Sequence, residues 1–321
     1  MTTTTFKRET TGDEVVKACK DQVVGRTFLI TGASDGSIGA EVALCLAHAA
    51  PARILLLARS ASKVEPVIEK IKAIDSTVKA LFIPVQLDDF DSVRTAAKQV
   101  NDATDKLDVM INCAGIMAVP DFTTNKNGIE SQFATNHLGH FLLTALVFDK
   151  VTAAGRGARI VNVTSDGYQL GPCRFEDYNF KDGAEYHAWS GYGQSKTANI
   201  LFTRQLAAKL SNRGITSFAL HPGVILESGI GRTTTEEMLG GINEVALRET
   251  GMPFRVGDPK PMTQGTSTAL VAALDPRLAD QSGSYLEDCA VVPAREYATS
   301  LQNAQRLWTL SEQLVGQRFD I

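Results

Sequence analysis

Short apolar runs alternate with amphipathic stretches along most of this 321-residue chain, and that alternation leaves few folds open to it. In Arg53-Ile54-Leu55-Leu56-Leu57-Ala58 no polar residue follows the first position, as expected of a strand buried on both faces. Comparable β-prone runs stand at residues 27–31, 79–85, 107–112, 159–164, 216–220 and near 284–286. Between them the patterning predicts helices over 40–49, 63–74, 90–104, 131–152, 191–212 and 264–274. Strands separated by helices form βαβ units with right-handed crossovers. The fold class expected is therefore α/β, a doubly wound, mainly parallel sheet with helices on both faces. No repeat or Pro/Gly/Ser linker divides it. Residues 1–24 read as a Thr-rich mobile arm with a short leading helix. Residues 25–321 read as one domain, with a lid at about 225–262 and a C-terminal extension.

The turn after the first strand reads Thr31-Gly32-Ala33-Ser34-Asp35-Gly36-Ser37-Ile38-Gly39. Glycines let backbone approach a pyrophosphate closely. The helix that follows turns unpaired N–H groups and the positive end of its dipole toward phosphate oxygens. Between a strand and a helix, such a turn points to a dinucleotide in a Rossmann-type crevice. Twenty residues beyond Gly39, at the end of the second strand, stands Arg59. An acid there suits the ribose 2′-hydroxyl of NAD, whereas a guanidinium suits the 2′-phosphate of NADP. NADP(H) is the expected cofactor, with Ser60 and Lys63 placed to add contacts.

Tyr192 and Lys196 are four residues apart in a helical stretch, so they share a face with Cβ atoms about 5–6 Å apart. A free phenol titrates near ~10, and a fixed positive charge beside it favours the phenolate. A fall of about three units would make Tyr192 a proton donor and acceptor near neutral pH.

Composition excludes other classes. A net charge of −4 and a pI of about 5.8 offer no basic face to nucleic acid. Five scattered cysteines without a CxxC pair, and His48, His137, His140, His187 and His221 without metal-like grouping, argue against disulfides and metal. The N-terminus lacks the apolar core of a signal peptide, and no apolar run is long enough to span a bilayer. A cytoplasmic protein is expected.

In their order along the chain these motifs resemble those of the short-chain dehydrogenase/reductase family, over roughly residues 25–314. The turn is similar to the family's TGxxxGxG loop, with one extra residue and Ser37 where the middle glycine would fall. Asn112-Cys113-Ala114-Gly115 is similar to its NNAG motif. Gln86 stands where the family often places an acid toward adenine, with Asp88 near that place. Asn136, Ser165, Tyr192 and Lys196 match the family's catalytic tetrad. Pro222, Gly223 and Val224 match the segment lining the nicotinamide; Glu227 takes the spacing of the usual Thr or Ser, with Ser228 next to it.

The resemblance implies a hydride transfer between NADP(H) and a ketone or secondary alcohol. Tyr192 would be the acid/base, and Lys196 would lower its pKa and hold the ribose. Ser165 would polarise the substrate oxygen, and Asn136 would hold a proton-relay water. Cofactor contacts are expected from Gly32, Ser34, Asp35, Ser37, Ile38, Gly39, Arg59, Leu87, Asn112, Ala114, Gly115, Tyr192, Lys196, Pro222, Gly223, Val224 and Ser228. The family often forms homo-oligomers through its long helices. A 26-residue insertion at 166–191, rich in aromatics (Tyr168, Phe175, Tyr178, Phe180, Tyr186, Trp189), and the ending Arg306-Leu307-Trp308 look like the retinol-dehydrogenase-like branch. They are similar to its fungal members, ketone reductases of secondary metabolism. The aromatic insertion and an apolar lid suggest a bulky lipophilic substrate. A non-redox cyclase or epimerase, or a cofactor-holding regulatory protein, is the alternative on this fold. The former would lack the tyrosine, and the latter would have no need of the Ser165–Tyr192–Lys196 set.

Overall fold

The computed structural model describes residues 5–231 and 234–321. Residues 1–4 of the expected arm, and Arg232 and Thr233 of the expected lid, lie outside the described residues. The strands are β1 (Thr27–Thr31), β2 (Arg53–Ala58), β3 (Lys79–Pro84), β4 (Val109–Asn112), β5 (Arg159–Val163), β6 (Thr216–Leu220), β7 (Tyr285–Glu287) and β8 (Ala290–Val292). They form one sheet in the order β3-β2-β1-β4-β5-β6-β7-β8, with the first seven parallel and β8 antiparallel. The chain reverses its direction of winding between β1 and β4, which opens a crevice at the carboxyl ends of those strands.

Alternation along the strands explains the two layers. Phe28, Ile30, Ile54 and Leu56 point to one face and pack against α1 (Gly12–Ala18), α2 (Ile38–Ala47), α3 (Ala61–Ile74) and α8 (Ser267–Leu274). Leu29, Leu55 and Leu57 point to the other. There they meet α4 (Phe90–Ala103), α5 (Gly139–Leu146), α6 (Ala188–Leu210) and α9 (Leu301–Val315). α7 (Ile242–Thr250) lies outside both layers, over the carboxyl end of the sheet.

Three expectations are corrected. The leading segment is not a mobile arm from Phe6 onward: Phe6 is buried, Arg277 stacks over its ring, and α1 packs on α8 behind a Thr11–Glu14 capping box. The helix expected over 131–152 is broken. Ser131–Phe133 runs into a π-turn at Ala134–Leu138, then α5, and a separate helix begins at Phe148. The last parallel strand is followed by β8, folded back through Asp288 and Cys289, both at positive φ.

Candidate active site

β1, β4, β5 and β6 end at the crevice, and each delivers one part of the site. β1 delivers the glycine turn. Gly32 has φ +74°, and a Cβ on it would lie 2.7 Å from Ala114 Cα; one on Gly39 would lie 2.7 Å from the Gly32 carbonyl. Backbone therefore packs on backbone, as a phosphate-approaching turn needs. Ser37 caps α2, accepting from Ala40 N–H and donating to the Gly32 carbonyl at 2.6 Å, so the extra residue in the turn is absorbed by a cap. Ser34 and Ile38 flank this opening. Asp35 turns away. Its N–H donates to the Lys63 carbonyl at 2.7 Å and its carboxylate pairs with Lys70 at 2.7 Å, which removes its N–H from phosphate binding but also draws the turn's one acid off the crevice.

Arg59 is exposed at the end of β2, with no hydrogen bond or ion pair among the described residues. Ser60 stands at the N-cap of α3 without a side-chain cap bond, so the first N–H groups of α3 also face outward beside Arg59.

β4 delivers residues 112–116. Asn112, expected at the cofactor, instead points into the core. It donates to Asn162 (2.9 Å) and Thr144 (3.2 Å), tying β4 to β5 and α5. A buried amide must find partners somewhere, and neighbouring strands are nearer than the crevice. Leu87 is buried in the apolar layer beside α5, where Gly139 has no Cβ to strike its carbonyl. Gly115 borders open space: a Cβ there would sit 3.2 Å from Asn136 Oδ1 and 3.4 Å from Lys196 Nζ.

The π-turn delivers Asn136. Its Oδ1 accepts from Ile116 N–H (2.8 Å), and its Nδ2 donates to the Ile116 carbonyl (2.9 Å) and to Ser195 Oγ (2.9 Å). The side chain clamps the β4 loop to α6 and uses both its amide hydrogens there. Acceptor capacity for a water remains on Oδ1 and on the backbone carbonyl, which His140 Nδ1 reaches at 3.0 Å. Thr31 Oγ accepts from the N–H groups of Cys113 and Ala114, so its one hydrogen must go to His140 Nε2 at 2.8 Å. This fixes the neutral tautomer with the proton on Nδ1, and burial holds the imidazole down to about 4.

A stability prediction follows from that burial. In the unfolded chain this histidine takes a proton near ~6.5, while the folded chain refuses it down to about 4. Its contribution is full above the unfolded value and is lost as pH falls through that window, by roughly 3 kcal/mol in all. Denaturant melts from pH 7.5 to 5 should show this slope in the native protein and less of it in His140→Gln. Equal slopes would contradict it.

β5 and α6 deliver the reacting groups. α6 starts at Ala188 under a His187 cap, and all residues from Ala188 to Thr203 are buried. Gly167 and Gly193 let the turn Asp166–Leu170 lie against it: a Cβ on Gly167 would lie 2.5 Å from the Tyr192 ring, and one on Gly193 would lie 2.8 Å from Leu170. The Tyr192 phenol lies beside Ser165, and Lys196 Nζ lies 5.5 Å from the phenol ring centroid. Lys196 is buried, and its one hydrogen bond among the described residues goes to the Val163 carbonyl at 3.4 Å. An ammonium carries three donors, so most of its capacity is unfilled and borders the space at Gly115. A dinucleotide's ribose hydroxyls suit that space, and the residues fit the expected cofactor.

The expected fall of the Tyr192 pKa is not produced by these residues alone. Burial pushes the phenol above its usual range, more than the neighbouring Ser165 hydroxyl pulls it down, and the Asp166 carboxylate adds to the rise. Burial pushes Lys196 down to about 8. Desolvation disfavours the charged form of both, and here it outweighs the pairing that sequence spacing suggests.

β6 delivers His221 and the segment Pro222-Gly223-Val224. Gly223 has φ +100° over the Lys260 chain, and Val224 pairs with Pro259. Glu227 accepts from Met262 N–H at 3.1 Å, at the start of the short helix Met262–Gly265; Ser228 donates to the Ile225 carbonyl at 2.8 Å. Both side chains have local partners, which explains neither as a nicotinamide contact. The aromatic insertion mostly packs into the fold: Phe180 is fully buried against Tyr186, Tyr178 stacks on Phe133, and Tyr168 meets Tyr285. Trp189 is the exception. It meets Tyr192 edge-on at 6.1 Å and donates to the Met238 carbonyl at 2.7 Å. Met117, Met238, Ile242 and Phe254 pack, half-buried, around the same apolar cluster.

Sequence reasoning missed Asp166, whose Oδ1 accepts from Ser165 at 2.9 Å and whose Oδ2 lies 3.7 Å from His221. Its position directly after Ser165 was the available signal.

Fold and site together define a nicotinamide-dependent oxidoreductase, and comparison with known proteins agrees. The family model for short chain dehydrogenase matches residues 26–179. Retinol dehydrogenase 12 of Mus musculus is 36% identical over 93% of this chain and 89% of its own length. Among solved structures, an uncharacterised protein of Mycobacterium paratuberculosis is 30% identical, with a TM-score of 0.69 over 93% of this chain and 96% of that one. An NADPH-bound carbonyl reductase from chicken fatty liver, 21% identical, shares the fold with a TM-score of 0.60 over 85% of this chain and all of that one. The chain belongs to the short-chain dehydrogenase/reductase family, in its retinol-dehydrogenase-like branch, and acts on alcohols or carbonyls. Among the described residues no helix is long and apolar enough to cross a membrane.

Proposed function

We propose that the protein is an NADP(H)-dependent reductase of a bulky lipophilic ketone or aldehyde, of the kind used in secondary metabolism. The observation that carries this reading is a buried phenol, next to Ser165 and beside a buried, under-satisfied ammonium, at the crevice of a doubly wound sheet. When bound, the cofactor supplies the hydride. Tyr192 gives its proton to the carbonyl oxygen as negative charge develops there. Burial favours this direction, because it keeps the phenol in its proton-bearing form. Ser165 orients that oxygen against Tyr192. Lys196 holds the ribose hydroxyls and stabilises the phenolate left behind. The Asn136 backbone carbonyl, with a second lone pair, is the place for a water that returns the proton.

The substrate class rests on what surrounds Tyr192. Trp189 and Met117, together with Met238, Ile242 and Phe254 of the 225–262 segment, form an apolar approach, with that segment as the lid. The retinol dehydrogenases it resembles bear the name of a lipophilic alcohol. A panel of lipophilic ketones and aldehydes, retinal included, should show NADPH consumption with at least one member and little with short polar carbonyls. Binding of NADPH without consumption across the panel would reject the reductase reading.

A further inference from the structure

We propose that Arg295 is a positioning residue: its guanidinium staples the turn after Ser165 to the lid, and so fixes the apolar wall that holds a lipophilic substrate against Tyr192. The inference rests on the proposed reading of the 225–262 segment as a lid and deepens the substrate class. It follows from where one guanidinium spends its hydrogens. Nη1 donates to the Gln169 carbonyl at 2.9 Å and to Thr250 Oγ1 at 2.8 Å. Nη2 donates to the Pro253 carbonyl at 2.7 Å and to Gln169 Oε1 at 3.3 Å. Gln169 lies in the turn Asp166–Leu170, where the Gly167 N–H donates to Ser165 Oγ at 3.0 Å. Thr250 ends α7, and Pro253 lies in the chain that leaves it. All four acceptors are neutral, so joining segments, not neutralising an acid, is what this side chain does. A planar fork can reach separate segments at once, which a point-like ammonium cannot.

Other contacts complete the joint. The Gln169 amide pairs with the backbone of Arg255 in both senses: Nε2 donates to its carbonyl at 2.9 Å, and Oε1 accepts its N–H at 3.3 Å. Phe254 N–H donates to Asn243 Oδ1 at 3.0 Å, which folds the departing chain back on α7. Leu170, next to Gln169, is buried in one apolar cluster with Val245 and Ala246 of α7, with Trp189 and with Tyr192. Arg295 itself stands on a fixed base. Its carbonyl accepts from Ala298 N–H at 3.0 Å in the short helix Glu296–Thr299, and the Thr299 carbonyl accepts from Arg204 Nε of α6 at 3.2 Å. One side chain therefore links the lid, the turn after Ser165 and the helix that carries Tyr192.

A second grip on α7 does not replace this one. Glu249 accepts from Arg174 at 2.9 Å and from Ser190 at 3.0 Å. Those donors belong to the insertion and to the first turn of α6, so they hold α7 without touching the turn after Ser165. Among the described residues, the hydrogen bonds that join that turn to the lid all run through Gln169 or Arg295. Without the guanidinium, Ile242, Val245 and Phe254 can shift against Tyr192. A substrate with a large apolar body meets that wall, and the placement of its carbonyl depends on it.

Hydrogen–deuterium exchange of the full chain, without substrate, reads the joint directly. In Arg295→Met the amides of 166–172 and 242–256 should exchange together about tenfold faster, while β1, β4 and β5 keep their native rates. The kcat/KM for the best lipophilic carbonyl of the panel should fall about tenfold, through KM, because the wall holds the substrate body alike in the ground and transition states. The KM for NADPH should stay within about twofold of native. Arg295→Lys keeps the charge but not the fork, and should resemble the Met variant. A purely structural arginine would instead speed exchange only around 290–299, or evenly over the whole protein. Either pattern, full recovery in Arg295→Lys, or faster exchange with an unmoved KM overturns the inference. Should Arg295→Met fail to fold, Gln169→Ala removes the turn's side of the joint and is read by the same two measurements. If no carbonyl of the panel is reduced, the reductase reading fails while the exchange rates still decide the role of Arg295.

Discussion

Tyr192→Phe should lower turnover of any substrate by about 10³-fold, within the range that removal of a placed general acid produces, while NADPH still binds. The phenyl ring keeps the shape of the site: it still fills the space over Gly167 and meets Trp189 edge-on. What disappears is one hydroxyl beside Ser165. Stability should therefore change by only about 1 kcal/mol. The informative result is the combination. Turnover lost with unchanged NADPH fluorescence and melting temperature assigns the proton transfer to Tyr192. Turnover retained within a few-fold would mean that another group supplies the proton, and Asp166 and Ser165 would be the nearest candidates. Lost turnover with lost cofactor binding would instead show that Tyr192 builds the nucleotide site. Ser165 is a useful contrast, because its hydroxyl bonds both Asp166 and the Gly167 N–H. Its removal would disturb the turn at Asp166–Leu170 as well as the chemistry.

The parts of this site legible in the sequence are those set by backbone. A strand that must be buried on both faces, a turn that needs φ above zero at Gly32, and a helix that puts positions 192 and 196 on one face are local facts with local signatures. The direction in which a side chain points is not local. Asn112 stands in the expected motif, yet the nearest unpaired polar groups belong to Asn162 and Thr144 across the sheet, so its amide turns inward. Asp35 stands in the phosphate turn, yet Lys70 lies beside it on α3. Asn136 was expected to hold a proton-relay water, and the sequence does not say with which of its atoms. A π-turn, invisible to a 3.6-residue period, rotates the side chain onto Ile116 and Ser195. The aromatics of the insertion suggested substrate lining, but Phe180 packs on Tyr186, Tyr178 on Phe133 and Tyr168 on Tyr285, with Trp189 left at Tyr192. The electrostatics were least legible of all. Spacing shows that an ammonium is near a phenol, but only burial shows that desolvation prevails over their attraction.

Arg59→Asp should reverse the coenzyme preference, with the NADPH-to-NADH ratio of kcat/KM falling by about 10³-fold. The expectation builds from three placements. Arg59 is exposed directly after β2, one residue from the N-cap of α3, and has no hydrogen bond or ion pair among the described residues. A guanidinium without a partner can offer a bidentate pair to a phosphate. The uncapped first turn of α3 adds its N–H groups and dipole on the same side, with Lys63 in that turn and no acid in it. Asp35, which would repel a 2′-phosphate, is held on Lys70. Hydrogen bonds to charged groups are worth about 1.5–3 kcal/mol each. Losing the pair, and setting a carboxylate against the phosphate, should raise the KM for NADPH by about 10²-fold. The same carboxylate can accept from the 2′-hydroxyl of NADH, which supplies the remaining factor in the ratio. Because Arg59 is exposed, the change should leave the melting temperature of the free protein nearly unchanged. Steady-state kinetics with both coenzymes decide the matter. A native enzyme that already prefers NADH, or a variant whose preference stays with NADPH, would remove Arg59 from the phosphate and leave the glycine turn as the only part of the coenzyme argument standing.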